Sequence, residues 1–259
     1  MSRERVDYGR RHGQHGDLWV PDGPAPELGW PVVVVLHGGF WRAMYTKSLM
    51  TPMSADMIDR GWAAWNLEYR RIGTIPSGGW PGTFDDVGAG IDHLATMAGE
   101  HRLDLGRVVT VGHSAGGHLA LWAAGRAKLA ADAPGAGNLL LRGAVGLAPV
   151  ADLVEANRLG LGGGVVPRLM GGTPEQHPER YAVGDPAKLL PMGVPQVLVH
   201  GDNDGAVPLS VSRGYVERAM AAGDPATLVE LPGVGHMELI DPASQAWSAT
   251  VVHLRRLLA

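Results

Sequence analysis

The chain has 259 residues, 45% hydrophobic and 19% charged, with a formal net charge of −4. That composition suits one α/β domain or two small ones with a large core, and it excludes a disordered chain and a basic nucleic-acid surface. With no cysteine, disulfides, thiolate metal sites and a cysteine nucleophile are excluded.

No uncharged apolar run approaches the ~20 residues that span a bilayer. The opening residues Met1-Ser2-Arg3-Glu4-Arg5-Val6-Asp7 carry no apolar core of a signal peptide. The expectation is a cytoplasmic protein with no membrane and no nucleic-acid partner; a homodimer is compatible with it.

Pro31-Val32-Val33-Val34-Val35-Leu36 is a β-branched run without alternation, which predicts a strand buried on both faces of a parallel sheet. It ends at His37-Gly38-Gly39. Lys47 to Arg60 has helical spacing and stops at Gly61. Trp62 to Tyr69 reads as a second strand, and 70–81, rich in glycine and proline, as a surface loop. Thr83 is expected to cap one helix from Phe84 to about Glu100, with Asp85 and Asp86 at its positive end.

Arg107-Val108-Val109-Thr110-Val111 is the next strand, and Gly117 to Ala124 forms helix. Strands follow at 143–148, 195–200 and 226–231, and an amphipathic helix at 242–258. Residues 152–190, broken by glycines and prolines, show no clear elements and are read as a small cap inserted into a single domain, 1–259. Strands alternate with helices, so a mostly parallel central sheet with helices on both faces is expected, with ligands at the carboxyl ends of its strands.

Between the strand at 107–111 and its helix lies Gly112-His113-Ser114-Ala115-Gly116, a G-x-S-x-G in a strand–turn–helix context. A turn this sharp needs small residues two before and two after the serine. It lifts Ser114 Oγ toward the free amides of a helix N-terminus. A serine hydroxyl is a weak nucleophile. It needs a base, and the base needs a partner that fixes its tautomer.

Among 11 histidines, His236 is the candidate base, because it follows the last strand and precedes the final helix. The acid is expected after the strand ending at His200. Asp204 fits the spacing H-G-x-x-D-x-x-V-P, Asp202 is read as bracing the turn, and Asp152 is a third candidate. The tetrahedral oxyanion needs N–H donors. Ala115 supplies one, and Gly39 or Phe40 the other. His37 is read as a brace for that loop, and His200 as ordering the acid turn. Trp41, His113, Val207 and Met237 are assigned to the substrate pocket, with Phe40 and Trp41 as aromatic walls. Neither a metal nor a cofactor is expected.

With these residues in order, the chain resembles the α/β-hydrolase fold from about Tyr8 to Leu258. His37-Gly38-Gly39-Phe40-Trp41 is similar to the H-G-G-x-W signature of the kynurenine formamidase (arylformamidase) branch. Small esterases of the acetylesterase and feruloyl-esterase type carry a related H-G-G loop, and single-domain relatives of prolyl oligopeptidase share the Asp and His turns. Phe40 stands where the H-G-G-G lipases and esterases have a third glycine. The resemblance implies a serine hydrolase acting on small esters or N-formyl aryl amides through an acyl-enzyme. The alternatives are a prolyl-oligopeptidase-like peptidase and a ligand-binding protein without turnover.

Overall fold

A computed structural model describes residues 2–75 and 77–259. Met1 and Pro76, read above in the amino-terminal stretch and in the 70–81 loop, lie outside the described residues. The strands are β1 (Ser2–Asp7), β2 (His15–Val20), β3 (Trp30–Leu36), β4 (Ala63–Leu67), β5 (Leu103–His113), β6 (Gly143–Leu147), β7 (Gln196–Gly201) and β8 (Ala226–Leu231). The α-helices are α1 (Thr51–Asp59), α2 (Gly82–Asp92), α3 (Leu94–His101), α4 (Ala115–Gly125), α5 (Leu153–Arg158), α6 (Leu161–Met170), α7 (Pro178–Gly184), α8 (Leu209–Ala221) and α9 (Gln245–Leu258).

The strands form one sheet in the order β1-β2-β4-β3-β5-β6-β7-β8. From β4 to β8 every neighbouring pair is parallel, whereas β1 and β2 run antiparallel. The valine run explains itself in β3. Val32, Val34 and Leu36 enter one hydrophobic core, and Val33 and Val35 the other. Residues two apart share a face, so a strand between two cores must be apolar at every position. Each such side chain contributes about 1.5–3 kcal/mol by leaving water. The first core also takes Phe84 of α2, Leu119 of α4 and Tyr215 of α8. The second takes Met53 and Met57 of α1 and Trp247 and Leu254 of α9. Trp247 Nε1–H donates to Asp56 Oδ2 at 2.6 Å and ties α9 to α1.

Several expectations need correcting. The chain from 82 to 101 makes two helices, α2 and α3, and not one. Pro81 occupies the cap position of α2, and Thr83 lies inside it. Thr83 Oγ1 accepts the Gly79 amide and donates to the Arg70 carbonyl, pinning the preceding loop. Segment 152–190 is not without elements: it holds α5, α6 and α7. Gly162, Gly163 and Gly164 have left-handed backbone, so regular helix in α6 begins only after them. Val165, Leu169, Met170 and Tyr181 join the first core, and the Gly184 and Val183 carbonyls accept from His118 and Trp122 of α4. His118 is fully buried.

The strand order reverses direction at β3, with β4 on one side and β5 on the other. Loops leaving β3 and β5 therefore part at their carboxyl ends and open a crevice, where ligands of such sheets sit. Among the described residues no helix is long and apolar enough to cross a membrane.

Candidate active site

Ser114 sits between β5 and α4 with φ 57° and ψ −117°, a backbone conformation that costs an L-residue roughly 1–3 kcal/mol. Three hydrogen bonds hold it: its amide donates to the Leu147 carbonyl of β6 at 2.8 Å, and its carbonyl accepts from His118 and Val150. Both flanking glycines are required by space. A Cβ on Gly112 would overlap the Gly116 carbonyl, and one on Gly116 would overlap the carbonyls of Leu36 and His37 at the end of β3. Helix α4 can thus pack against β3 closely enough to bring Ser114 beside the loop that follows β3.

That loop is left-handed at three successive positions, Gly39 (φ 107°), Phe40 (φ 51°) and Trp41 (φ 53°). The turn sends the Phe40 ring to the cavity and the Trp41 ring into the core. Trp41 is fully buried and meets His118 edge-on at 5.2 Å, so its assignment to the pocket is corrected. No hydrogen bond from the Gly39, Phe40 or Ala115 amide to a protein acceptor is found among the described residues. Gly39 and Phe40 border the cavity that contains Ser114, and Ala115 opens α4, where helix amides lack internal partners.

His236 faces the same cavity from the turn after β8. Its Nδ1 lies 2.6 Å from Asp204 Oδ2. Asp204 Oδ1 accepts the amides of Ala206 at 2.8 Å and Val207 at 2.9 Å. Burial alone would raise the Asp204 pKa. Hydrogen bonds from His200, His236 and the Val207 amide outweigh it and hold the carboxyl well below the usual carboxylate range. An ionised, fixed Asp204 keeps the proton of His236 on Nδ1 and leaves Nε2 as the basic nitrogen. Among the described residues no hydrogen bond joins Ser114 Oγ to His236; such bonds often tighten only with substrate in place.

The neighbouring residues sort by contact. Asp202 Oδ1 accepts the Gly233 amide at 2.6 Å and braces the turn before His236. Asp152 caps α5 through the Glu155 amide and pairs with Arg218. His200 Nε2 lies 2.9 Å from the Val207 carbonyl and its Nδ1 2.7 Å from Ser212 Oγ. Val207 is fully buried and serves the acid turn by its backbone; Ala206, and not Val207, lines the cavity. His113 Nε2 donates to the His236 carbonyl at 3.0 Å, and the two rings lie 4.4 Å apart. Burial, then the neighbouring His236 charge, lower the His113 pKa to about 3, so His113 is a neutral strut.

The cavity measures about 180 Å³ and is lined by Gly39, Phe40, Tyr45, Leu49, His113, Ser114, Ala206, His236 and Met237. Motif reading missed Tyr45, Leu49 and Ala206. Only their closeness to the H-G-G loop and to Asp204 could have flagged them. Among the described residues lining it none belongs to 152–190, although Arg42 beside Phe40 donates to the Gly162 carbonyl of that segment. A larger hollow of about 380 Å³ beside Val154, Tyr181 and Lys188 holds no nucleophile–base pair, so the reacting groups and not volume locate the site. Among the described residues no group of three or more His, Cys, Asp or Glu side chains could hold a metal ion.

A family model described as BD-FAE matches residues 17–218. The chain belongs to the BD-FAE family. This BD-FAE chain is 26% identical over 262 residues to the probable carboxylic ester hydrolase LipM of Mycobacterium tuberculosis, covering 95% of the chain and 58% of the relative. It is also 26% identical over 254 residues to the isoprenylcysteine alpha-carbonyl methylesterase ICME of Arabidopsis thaliana, covering 92% and 57%. The chain thus spans a little over half the length of these relatives. Its backbone is similar to a truncated carbohydrate esterase from gut microbiota, at a TM-score of 0.83, 18% identity, and 99% and 96% of the two chains covered. The esterase Est2 of Thermogutta terrifontis follows the same path at a TM-score of 0.77 and 21% identity, covering 99% and 91%. The fold is that of the α/β-hydrolases.

Proposed function

We propose that this protein is a serine esterase of small carboxylic esters, working through an acyl-enzyme on Ser114. The observation that carries this reading is the 2.6 Å contact of Asp204 with His236, whose ring faces one cavity with Ser114. His236 takes the Ser114 proton as the hydroxyl attacks the carbonyl carbon, then returns it to the leaving alkoxide; water repeats the sequence to release the acid. The Gly39 or Phe40 amide and the Ala115 amide receive the developing oxyanion. Asp204 stabilises the imidazolium and is not itself protonated.

The cavity favours a small acyl group. A cavity of about 180 Å³ has room for an ester linkage and a short chain. Phe40, Tyr45, Leu49 and Met237 give it an apolar wall. Relatives named as ester hydrolases support the ester over the amide. The H-G-G-F-W loop supports a second reading, an N-formyl aryl amide, whose formyl group also fits a small cavity.

Initial rates of wild type and Ser114→Ala on p-nitrophenyl acetate, p-nitrophenyl butyrate and N-formylkynurenine test both. Ester turnover that falls roughly 10⁴-fold or more in the variant supports the proposal. A kcat/KM preference for the formyl amide moves it to the second reading. No turnover, with no fluorophosphonate label on Ser114, overturns it.

A further inference from the structure

His37 follows β3 as the first residue of the H-G-G loop and is fully buried. Both of its ring nitrogens face oxygen. Nδ1 lies 2.8 Å from the Gly38 carbonyl, and Nε2 lies 3.0 Å from Glu68 Oε1. A carbonyl has no proton to give, so Nδ1 must carry one. Glu68 accepts the Tyr69 amide on Oε1 at 3.2 Å and the Lys47 amide on Oε2 at 3.0 Å, and the Arg71 guanidinium pairs with Oε1 at 3.3 Å. Such a carboxyl is an acceptor on every side and is ionised. Burial would raise its pKa, but the His37 hydrogen bond, the Arg71 charge and the Lys47 amide hold it below its ordinary value. Nε2 therefore also brings a proton.

We infer that His37 is held as a doubly protonated imidazolium by Glu68, and that this buried pair is the positioning device of the oxyanion loop. The inference rests on the esterase reading for its catalytic consequence. In a trans peptide C=O and N–H point in opposite directions. Nδ1–H fixes the Gly38 carbonyl toward the core, so the Gly39 N–H of the same peptide is turned the other way, toward the cavity that Gly39 borders.

The ring has no freedom to swing. It stacks on Tyr69 at 4.4 Å and 7° between planes, and Tyr69 Oη–H donates to the His37 carbonyl at 2.7 Å. A cation over an aromatic face is attracted by it. The charged and titratable groups around the pair are Arg71, Lys47 held by Asp17, and His15 and Tyr8 on the Glu68 side. Two charges in the interior are tolerated only when each is paired and hydrogen-bonded, and here both are. Neither residue touches the substrate; both act through the Gly38–Gly39 peptide.

Two measurements test this on the full chain. Ring-nitrogen resonances of His37 in labelled wild type at about pH 7, assigned by their loss in His37→Asn, should show two protonated nitrogens. In Glu68→Gln one of those protons should be lost. A single protonated nitrogen in wild type, or two retained in the variant, overturns the inference. The second measurement compares His37→Asn with His37→Gln. The Asn amide nitrogen takes the place of Nδ1 and keeps the bond to Gly38; the Gln amide reaches only toward Glu68. His37→Asn should keep at least roughly tenfold more kcat than His37→Gln at similar KM, since an oxyanion donor acts on the transition state. Equal kcat in the two folded variants overturns the positioning role. A wild type that hydrolyses no ester removes the esterase reading and leaves the nitrogen spectrum to decide the charge of His37.

Discussion

His236 Nδ1 stands 2.6 Å from Asp204 Oδ2, while the other oxygen of that carboxylate is occupied by two backbone amides. The carboxylate is therefore anchored by its own turn and offers a single oxygen to the imidazole. Asp204→Asn keeps the shape and removes the charge. Its kcat on p-nitrophenyl acetate should fall by roughly 10⁴-fold, the scale seen when a triad acid loses its charge. Asp202→Asn, which alters only the bond to the Gly233 amide, should stay within about tenfold of wild type. The reverse ranking would move the acid to Asp202.

Gly116→Ala places a methyl group against the carbonyls of Leu36 and His37. Backbone at the end of a central strand cannot yield, so overpacking costs about 1–3 kcal/mol or more. Urea unfolding of the variant should give a clearly lower midpoint. A midpoint equal to wild type would mean that α4 and β3 do not approach as closely as described.

Leu49 lines the apolar wall of the cavity from the turn before α1. Leu49→Ala lengthens the apolar end of the cavity without touching Ser114, His236 or the Gly39, Phe40 and Ala115 amides. Each added methylene in an apolar pocket is worth about 1–3 kcal/mol. The ratio of octanoyl to acetyl ester kcat/KM should therefore rise at least roughly tenfold. An unchanged ratio would place the acyl chain elsewhere.

Asp185 is fully buried, with its carboxylate near the amides of Ala187 at 3.1 Å and Val154 at 3.3 Å. Burial first, and the negative Asp152 second, raise its pKa to about 7. Below its ordinary value near 3.8 both folded and unfolded chains hold the proton. Between that value and about 7 only the folded chain does, so the stability from this group is lost as pH rises through the window. The stability difference between wild type and Asp185→Asn should shift by a few kcal/mol between about pH 4 and pH 8, with the variant gaining as pH rises. Parallel stability curves would show that Asp185 ionises normally.

The parts of this molecule that could be read from sequence are those where a residue has one physical reason to be there. The valines of β3 signal two cores, and Gly112 and Gly116 signal a turn with no space for a side chain. The distinction of Asp204 from Asp202 rested on its offset from β7, and the geometry places Asp204, not Asp202, against His236. What could not be read lacked such a reason. Strand β1 is exposed along almost its whole length and carries Arg3, Glu4, Arg5 and Asp7, so no alternation marks it. The break between α2 and α3 at His93 has no proline or glycine at it. Helices α5 and α7 are too short for a period to show. Trp41 looked like a pocket wall because it adjoins Phe40, but the left-handed backbone at both residues sends neighbouring side chains to different places.

Leu36 pairs with Gly112 across β3 and β5, the last rungs before the H-G-G loop and the serine turn. That pairing works as a ruler. Gly38 packs against His113 and Ser114 with no space for a side chain, and the ladder beneath sets the register at which the two loops meet, at ~3.3 Å per residue. Deleting one valine from β3 would slide the donor loop by one such step relative to the nucleophile. It would also exchange the strand's two faces between the cores. In a run of near-identical valines the composition of the strand would scarcely change, yet the catalytic gauge would be lost, so the length of that run is as much a part of the candidate site as the serine.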